Sequence, residues 1–187
     1  MQQTSGPAAG AFPEEATLLY ATLSGPLGDM VAVGEESARA PGGTALVSLS
    51  LPGRRRAAVR EEWRHAPDAF TALAEQLDAY FDGRRTGFDL AFTPYGDAFE
   101  RRVWSALEAI PYGTTTTYGA LAGHLGVPRG AVRDLGAAIG RNPLLIVRPC
   151  HRVIGADGTL KGYAAGVARK EQLLVLEGAL PAQLPLS

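Results

Sequence analysis

The sequence predicts an α/β (α+β) chain in two parts: a small N-terminal α/β unit with a three-stranded sheet, residues 1–92, and a C-terminal unit, residues 93–187, built on a winged helix-turn-helix-like pattern. Three observations carry this. Short aliphatic and β-branched runs bounded by Gly and Pro fill residues 17–51. Apolar residues then recur at helical spacing over 70–81. Beyond residue 97 two short helical patterns meet at a tight Gly/Pro turn.

Residues 1–14 are small and polar and read as a loose tail. "ATLLYATLSG", "MVAVGEE" and "TALVSLSLPG" read as three strands. "GRRRAAVREEWRH" follows as a charged segment without clear periodicity, and its cluster Arg54, Arg55, Arg56, Arg60 and Arg64 reads as a solvated surface. Asp68 is placed as the N-cap of a helix in which Phe70, Leu73, Leu77, Tyr80 and Phe81 share a face and Gly83 ends the run. "TPY" at 93–95 reads as a linker.

In the second unit Asp97 and Glu100 have capping-box spacing, Phe99, Val103, Leu107 and Ile110 form one stripe, and Pro111 stops it. A helix from Tyr118 to Leu125 closes at Gly126; "VPRG" turns the chain into a helix over about 130–139, ending at Gly140. "LLIV" at 144–147 has the composition of a buried strand. "VIGADGTLKGY" has an Asp-Gly turn between two short extended runs, a hairpin in the position of a wing. The last helix carries Leu173, Leu174 and Leu176 inward.

Composition narrows the chemistry. The 187 residues are 46% hydrophobic and 20% charged, with a net charge of −1, so any attraction to nucleic acid must be local. One cysteine makes no internal disulfide, and with His65, His124 and His151 scattered, neither a metal site nor a cofactor is expected. The first residues lack a basic stretch followed by an apolar run, and no stretch approaches ~18 apolar residues, so a cytoplasmic chain without a membrane span is expected.

Two features point to a reaction. At 100° per residue, helix 130–139 turns Ala131, Leu135, Ala138 and Ile139 to one side, leaving Gly130, Arg133, Gly136, Ala137 and Gly140 on the other. A face bare of long side chains, apart from one arginine, lets the backbone approach a partner. The alternative is a helix packed on both sides. The second feature is "RPCHRV", residues 148–153, which holds the lone thiol. A thiol with a pKa of about 8.5 needs a base or a positive charge to react. His151 is adjacent, and Glu177, in the apolar "LEGAL", is a candidate to orient it. The alternatives are a buried structural cysteine and a helix-end surface carboxylate.

"NPLLIVRPCHRVIGADGTLKGYAAGVARKEQLLVLEGAL", with "VWSALEAIPYGTTTTYGALAGHLGVPRGAVRDLGAAIGRNP" upstream, closely resembles the O6-alkylguanine-DNA alkyltransferases (methylated-DNA–protein-cysteine methyltransferases) over about residues 97–179. The resemblance implies single-turnover transfer of an alkyl group from O6 of guanine in double-stranded DNA, with O4 of thymine as a further substrate, to Cys150, in a monomer without cofactor. It implies His151 as the base acting through water, Glu177 as its orienting carboxylate, and Asn142 as the residue holding the cysteine turn. Tyr118, beside Thr117, would rotate a phosphate and donate a proton to the leaving guanine. Arg133 would enter the base stack, with Thr117, Tyr118, Gly136, Ala137 and Arg152 in the DNA-binding surface. Tyr163, Ala164 and Ala165 would wall the pocket.

The chain departs from the commoner family pattern at Asp134, whose charge opposes phosphate, and at Ala164 and Ala165, where Gly-Gly or Ser-Gly is frequent. The extra methyls predict poor use of bulky adducts such as benzyl. The zinc ligands of some relatives are absent. A cysteine hydrolase is the rival enzyme, but no oxyanion hole is identifiable. A lesion-flagging binder is the rival without chemistry, but relatives of that kind lack the cysteine.

Overall fold

The computed structural model describes residues 18–53, 57–93 and 95–182. The N-terminal half is a sheet with one helix against it. β1 (Leu19–Leu23), β2 (Met30–Glu36) and β3 (Thr44–Ser50) form an antiparallel meander. The charged segment after it adds a two-residue strand, β4 (Arg64–His65), parallel to β1, so the sheet has four strands in the order β3-β2-β1-β4 rather than three. The tail 1–14 and Arg54–Arg56 lie outside the described residues, while Arg60 and Arg64 are exposed.

β2 is apolar almost throughout because both faces of the sheet are covered. Met30 and Ala32 enter the main core, while Val31 and Val33 join Leu18, Val47 and Trp63 on the other side. The free edge of β3 is closed by the rest of the chain. Leu46 N–H donates to Ala91 O and Leu49 N–H donates to Pro143 O, at 2.8 and 2.9 Å. This second contact seats the segment just before the cysteine on the N-terminal sheet.

α1 (Thr71–Phe81) begins after a 3-10 turn, Pro67–Phe70. Asp68 is therefore not its side-chain cap; the Thr71 hydroxyl donates to the Asp68 backbone carbonyl instead. The stripe packs as its spacing requires, with Phe70, Leu73, Leu77 and Tyr80 buried.

α2 (Ala98–Glu108) opens with both halves of the Asp97–Glu100 capping box. Glu100 also accepts from Arg141 Nε at 2.5 Å, tying the start of α2 to the end of α4 (Val132–Gly140). Between them, β5 (Thr116–Thr117) leads into α3 (Tyr118–Leu125), capped by the Thr117 hydroxyl accepting from Ala120 N–H. Gly126 adopts φ 65° at its end, a left-handed stop that glycine adopts without a Cβ penalty.

Two predicted strands do not form as read. In "LLIV" only Leu144 makes a bridge, to Leu49; residues 145–147 turn, and Ile146 sits at φ 70°. A β-branched residue at positive φ is strained. Burial of Ile146 and the bond from Arg148 N–H to Leu144 O (2.9 Å) hold it there. In the expected wing, the Asp157-Gly158 turn closes with Gly155 N–H donating to Thr159 O (2.9 Å), but no second strand follows. β6 (Val153–Ile154) pairs in parallel with β5 instead. α5 (Val167–Leu176) packs Leu173 and Leu174 fully inside, with Leu176 only half-buried.

Candidate active site

The cysteine turn is built from both sides of the sequence around it. Pro149 leads into a 3-10 turn, Cys150–Arg152. Consecutive side chains on such a turn lie about 120° apart, not on opposite faces as on a strand. Cys150 and His151 can therefore serve one site. Asn142, at the end of α4, is buried inside the loop that the turn closes. Its Nδ2 donates to Arg148 O (2.9 Å) and to Cys150 Sγ (3.1 Å), and its Oδ1 accepts from Leu144 N–H (3.0 Å). Asn142 thus fixes the turn and touches the sulfur.

Behind the sulfur lies a buried polar cluster. His151 Nε2 is 2.8 Å from Glu177 Oε1. Arg152 Nε donates to Glu177 Oε2 (2.8 Å), Arg152 NH2 to Oε1 (2.9 Å), and NH1 to Ile110 O (2.6 Å). Tyr80 Oη donates to the same Oε1 at 2.6 Å. Burial would raise the Glu177 carboxyl, but the bonds from His151 and Arg152 outweigh it and hold its pKa at about 2. Burial lowers the His151 pKa against the opposing pull of Glu177. The neutral imidazole with an ionised carboxylate on Nε2 carries its proton there. Nδ1 is then the basic nitrogen; it is buried and has no hydrogen-bond partner among the described residues.

Burial likewise raises the Cys150 thiol, opposed by the Asn142 bond and by the charge of Lys170. The resting pair is thus neutral thiol and neutral imidazole, and the thiolate must form as the reaction begins.

Cys150 opens into a cleft of about 480 Å³, lined also by Tyr118, Ile139, Gly140, Tyr163 and Ala164. Tyr118 Oη donates to Lys161 O (3.1 Å). Burial and then the nearby Cys150 raise its pKa, so it stays a protonated donor. Gly136 also lines the cleft, which places the cleft mouth at the face of α4. On that face Arg133 and Ala137 are exposed, and a Cβ built on Gly130, Gly136 or Gly140 meets nothing within 4 Å. The glycines are therefore not there to satisfy packing inside the chain. Asp134 is exposed in the first turn of α4, where the helix dipole favours a carboxylate.

Two expected site residues lie elsewhere. Arg152 is buried and turned inward, its guanidinium committed to Glu177 and Ile110, so it cannot contact DNA in this arrangement. Ala165 is 2% exposed and does not line the cleft; it packs where Gly53 approaches so closely that a Cβ there would lie 3.0 Å from the Ala165 Cα.

Two residues join the site that no sequence motif marks. Lys170, on α5, is fully buried, and its Nζ donates to Val153 O (2.5 Å) and Lys161 O (2.9 Å). The 170/173/174/177 spacing places it on the inward stripe with Leu173, Leu174 and Glu177, a signal legible in advance. From the sequence Tyr80 reads as core; nothing local names the acceptor of its hydroxyl, 97 residues away.

Comparison with known proteins gives the same outline. Residues 18–94 match the family model "6-O-methylguanine DNA methyltransferase, ribonuclease-like domain", and residues 98–179 match "6-O-methylguanine DNA methyltransferase, DNA binding domain". A methylated-DNA–protein-cysteine methyltransferase of Mycolicibacterium paratuberculosis is 44% identical over 84% of this chain and 91% of its own. One from Methanosarcina acetivorans is 41% identical over 87% of this chain and 99% of its own. The crystal structure of Mycobacterium tuberculosis OGT in complex with DNA superposes with a TM-score of 0.75 at 41% identity, covering 86% of this chain and 93% of that one. With both halves matched and the buried Cys150 among the residues that line the cleft, the chain belongs to the 6-O-methylguanine DNA methyltransferase family.

Proposed function

We propose that this protein reverses alkylation damage by moving an alkyl group from O6 of guanine in duplex DNA to Cys150 Sγ, once per molecule and as a monomer. The observation that carries the reading is the position of Cys150. Cys150 lines the cleft that reaches Gly136 on the bare face of α4, and the neighbouring His151 is buried against Glu177. A base inside a duplex is reached only after it leaves the stack. The small-residue face of α4 suits close approach to the backbone of a groove, and Arg133, exposed and without a hydrogen bond or ion pair among the described residues, is free to fill the vacated space.

The sulfur–carbon bond forms as the carbon–O6 bond breaks. The thiol proton passes to His151 Nδ1 by way of water, and the imidazolium is stabilised by Glu177. The departing guanine takes a proton from the Tyr118 hydroxyl, and solvent returns the proton held on His151 to Tyr118. The product thioether does not hydrolyse, which ends the activity of that molecule. O4 of thymine presents the same alkyl–oxygen bond and is a second substrate. Thr117, Tyr118, Gly136 and Ala137 form the contact surface with Arg133.

The test uses duplex DNA carrying labelled O6-methylguanine, and a second duplex carrying O4-methylthymine. Label should move from the DNA to the protein and should be absent from Cys150→Ala, which should still bind the duplex. Binding by the native protein without label transfer would instead indicate a lesion-binding protein without chemistry.

A further inference from the structure

We propose that Tyr80, in the N-terminal half, is a positioning residue for the His151–Glu177 pair, so that the N-terminal half supplies part of the transfer machinery. The inference rests on the reading of His151 and Glu177 as the groups that take the thiol proton.

Tyr80 is fully buried on α1, and its hydroxyl donates to Glu177 Oε1, the oxygen that faces His151 Nε2. A core tyrosine needs an acceptor, and a backbone carbonyl would satisfy it. Here the acceptor is a carboxylate already held by His151 and by the fork of Arg152. The Arg152 fork fixes the plane of the carboxylate; the Tyr80 bond adds a second, independent anchor on the oxygen that His151 uses. Tyr80 is itself held firmly. Its ring packs edge-on against Tyr112 at 6.1 Å and against Phe81 at 5.5 Å, and tilted on Phe88 at 5.3 Å. Burial and the neighbouring carboxylate keep its phenol protonated at any ordinary pH, so it is always a donor.

A hydrogen bond to a carboxylate withdraws charge from it. With the hydroxyl present, Oε1 shares its charge among Tyr80, His151 and Arg152. Without it, Oε1 holds the His151 proton more tightly and favours the imidazolium. The other groups that bear on His151 are Arg152 and Lys170, which oppose its protonation, and the Cys150 thiol and Tyr163 ring beside it. Neither substitution below changes any of these.

Tyr80→Phe removes one oxygen and keeps the ring. The His151 titration, followed by NMR of the imidazole nitrogens, should move to higher pH; only His65 and His124, both exposed, share the spectrum. The acid limb of the methyl-transfer profile should move with it, and the plateau rate should fall about tenfold, the usual scale of one charge-assisted hydrogen bond. Replacing Tyr80 by fluorotyrosine, a stronger donor with nearly unchanged packing, should move the His151 titration the other way. It decides the matter if Tyr80→Phe does not fold. Unchanged His151 titration in the variants would overturn the proposal. If no methyl is transferred by the native protein, the NMR shifts still decide the role of Tyr80, separately from the function.

Discussion

The reactive pair meets in its neutral form, and this sets what individual residues must do. Burial disfavours both the Cys150 thiolate and the His151 imidazolium. In the proposed reaction the ion pair therefore needs help at both ends: Glu177 on the imidazole side, Lys170 on the sulfur side. Lys170 has a pKa lowered by burial to about 8, so it is charged at neutral pH, and no carboxylate lies within ion-pair distance of it among the described residues. Its charge is offset only when the sulfur ionises. Lys170→Met should therefore shift the pH dependence of Cys150 alkylation by iodoacetamide to higher pH and slow the reaction at pH 7. An unmoved profile would remove Lys170 from the account. In the proposed reaction Arg133 acts on the DNA rather than on the sulfur. Arg133→Ala should slow methyl transfer from duplex DNA about ten- to a hundredfold, the scale of an unpaid part of base extrusion. Its reaction with free O6-methylguanine should stay near the native rate, and equal losses on both substrates would contradict the role.

Elements decide which of these side chains can be brought together. α4 was legible because its bare face breaks the rule that a solvated helix carries long polar side chains, and the open space beyond Gly130, Gly136 and Gly140 agrees with that reading. Ala137→Glu tests it: affinity for duplex DNA should drop at least tenfold from phosphate repulsion, while stability stays within about 0.5 kcal/mol because the site is exposed. Unchanged affinity would mean that DNA meets another face. α5 was legible only in part. Its stripe locates Lys170 and Glu177 inside, but periodicity says that a residue is buried and not what it is buried against. The partners Val153 O, Lys161 O and Arg152 come from loops without periodicity. The same gap explains Arg152, which its place in the motif suggested for DNA and which burial assigns to Glu177. It also explains 144–147, where an apolar run was read as a strand although only Leu144 finds a partner. Glu177→Gln carries a cost at this scale. It leaves the Arg152 guanidinium buried without its counter-charge, which should destabilise the fold by roughly 3 kcal/mol, visible in urea unfolding. A variant as stable as the native protein would show that the ion pair is not a structural element.

At the scale of the molecule the two halves share one core, and Tyr80 of the first half bonds Glu177 of the second. Leu46, Leu49, Leu77 and Tyr80 pack in the same cluster as Leu107, Leu135 and Leu173, and β3 carries the segment leading to Cys150 on its edge. Arg169 adds a strap, its guanidinium donating to Leu27 O (2.7 Å) and Pro52 O (3.0 Å) across the halves and to Ala165 O (3.0 Å). None of this long-range pairing leaves a local mark, whereas the capping box, the helix pair and the cysteine motif do. The buried carboxylate gives the whole fold a pH signature. Glu177 titrates at about 2 when folded, below its ordinary value near 4.5, so its contribution is complete above pH 4.5 and is lost as the pH falls toward 2. About 3 kcal/mol of unfolding free energy should disappear over that window; a flat profile would mean that the carboxylate is not held as described. The central claim is that one sulfur accepts one alkyl group and is then spent. Incubate the protein with an excess of duplex containing O6-methylguanine and follow methyl groups per chain by mass spectrometry of the intact protein and of the peptide carrying Cys150. The count should rise to one and stop, with the methyl on that peptide. Continued loss of methyl from DNA beyond one equivalent, or a methyl on any other residue, would contradict it.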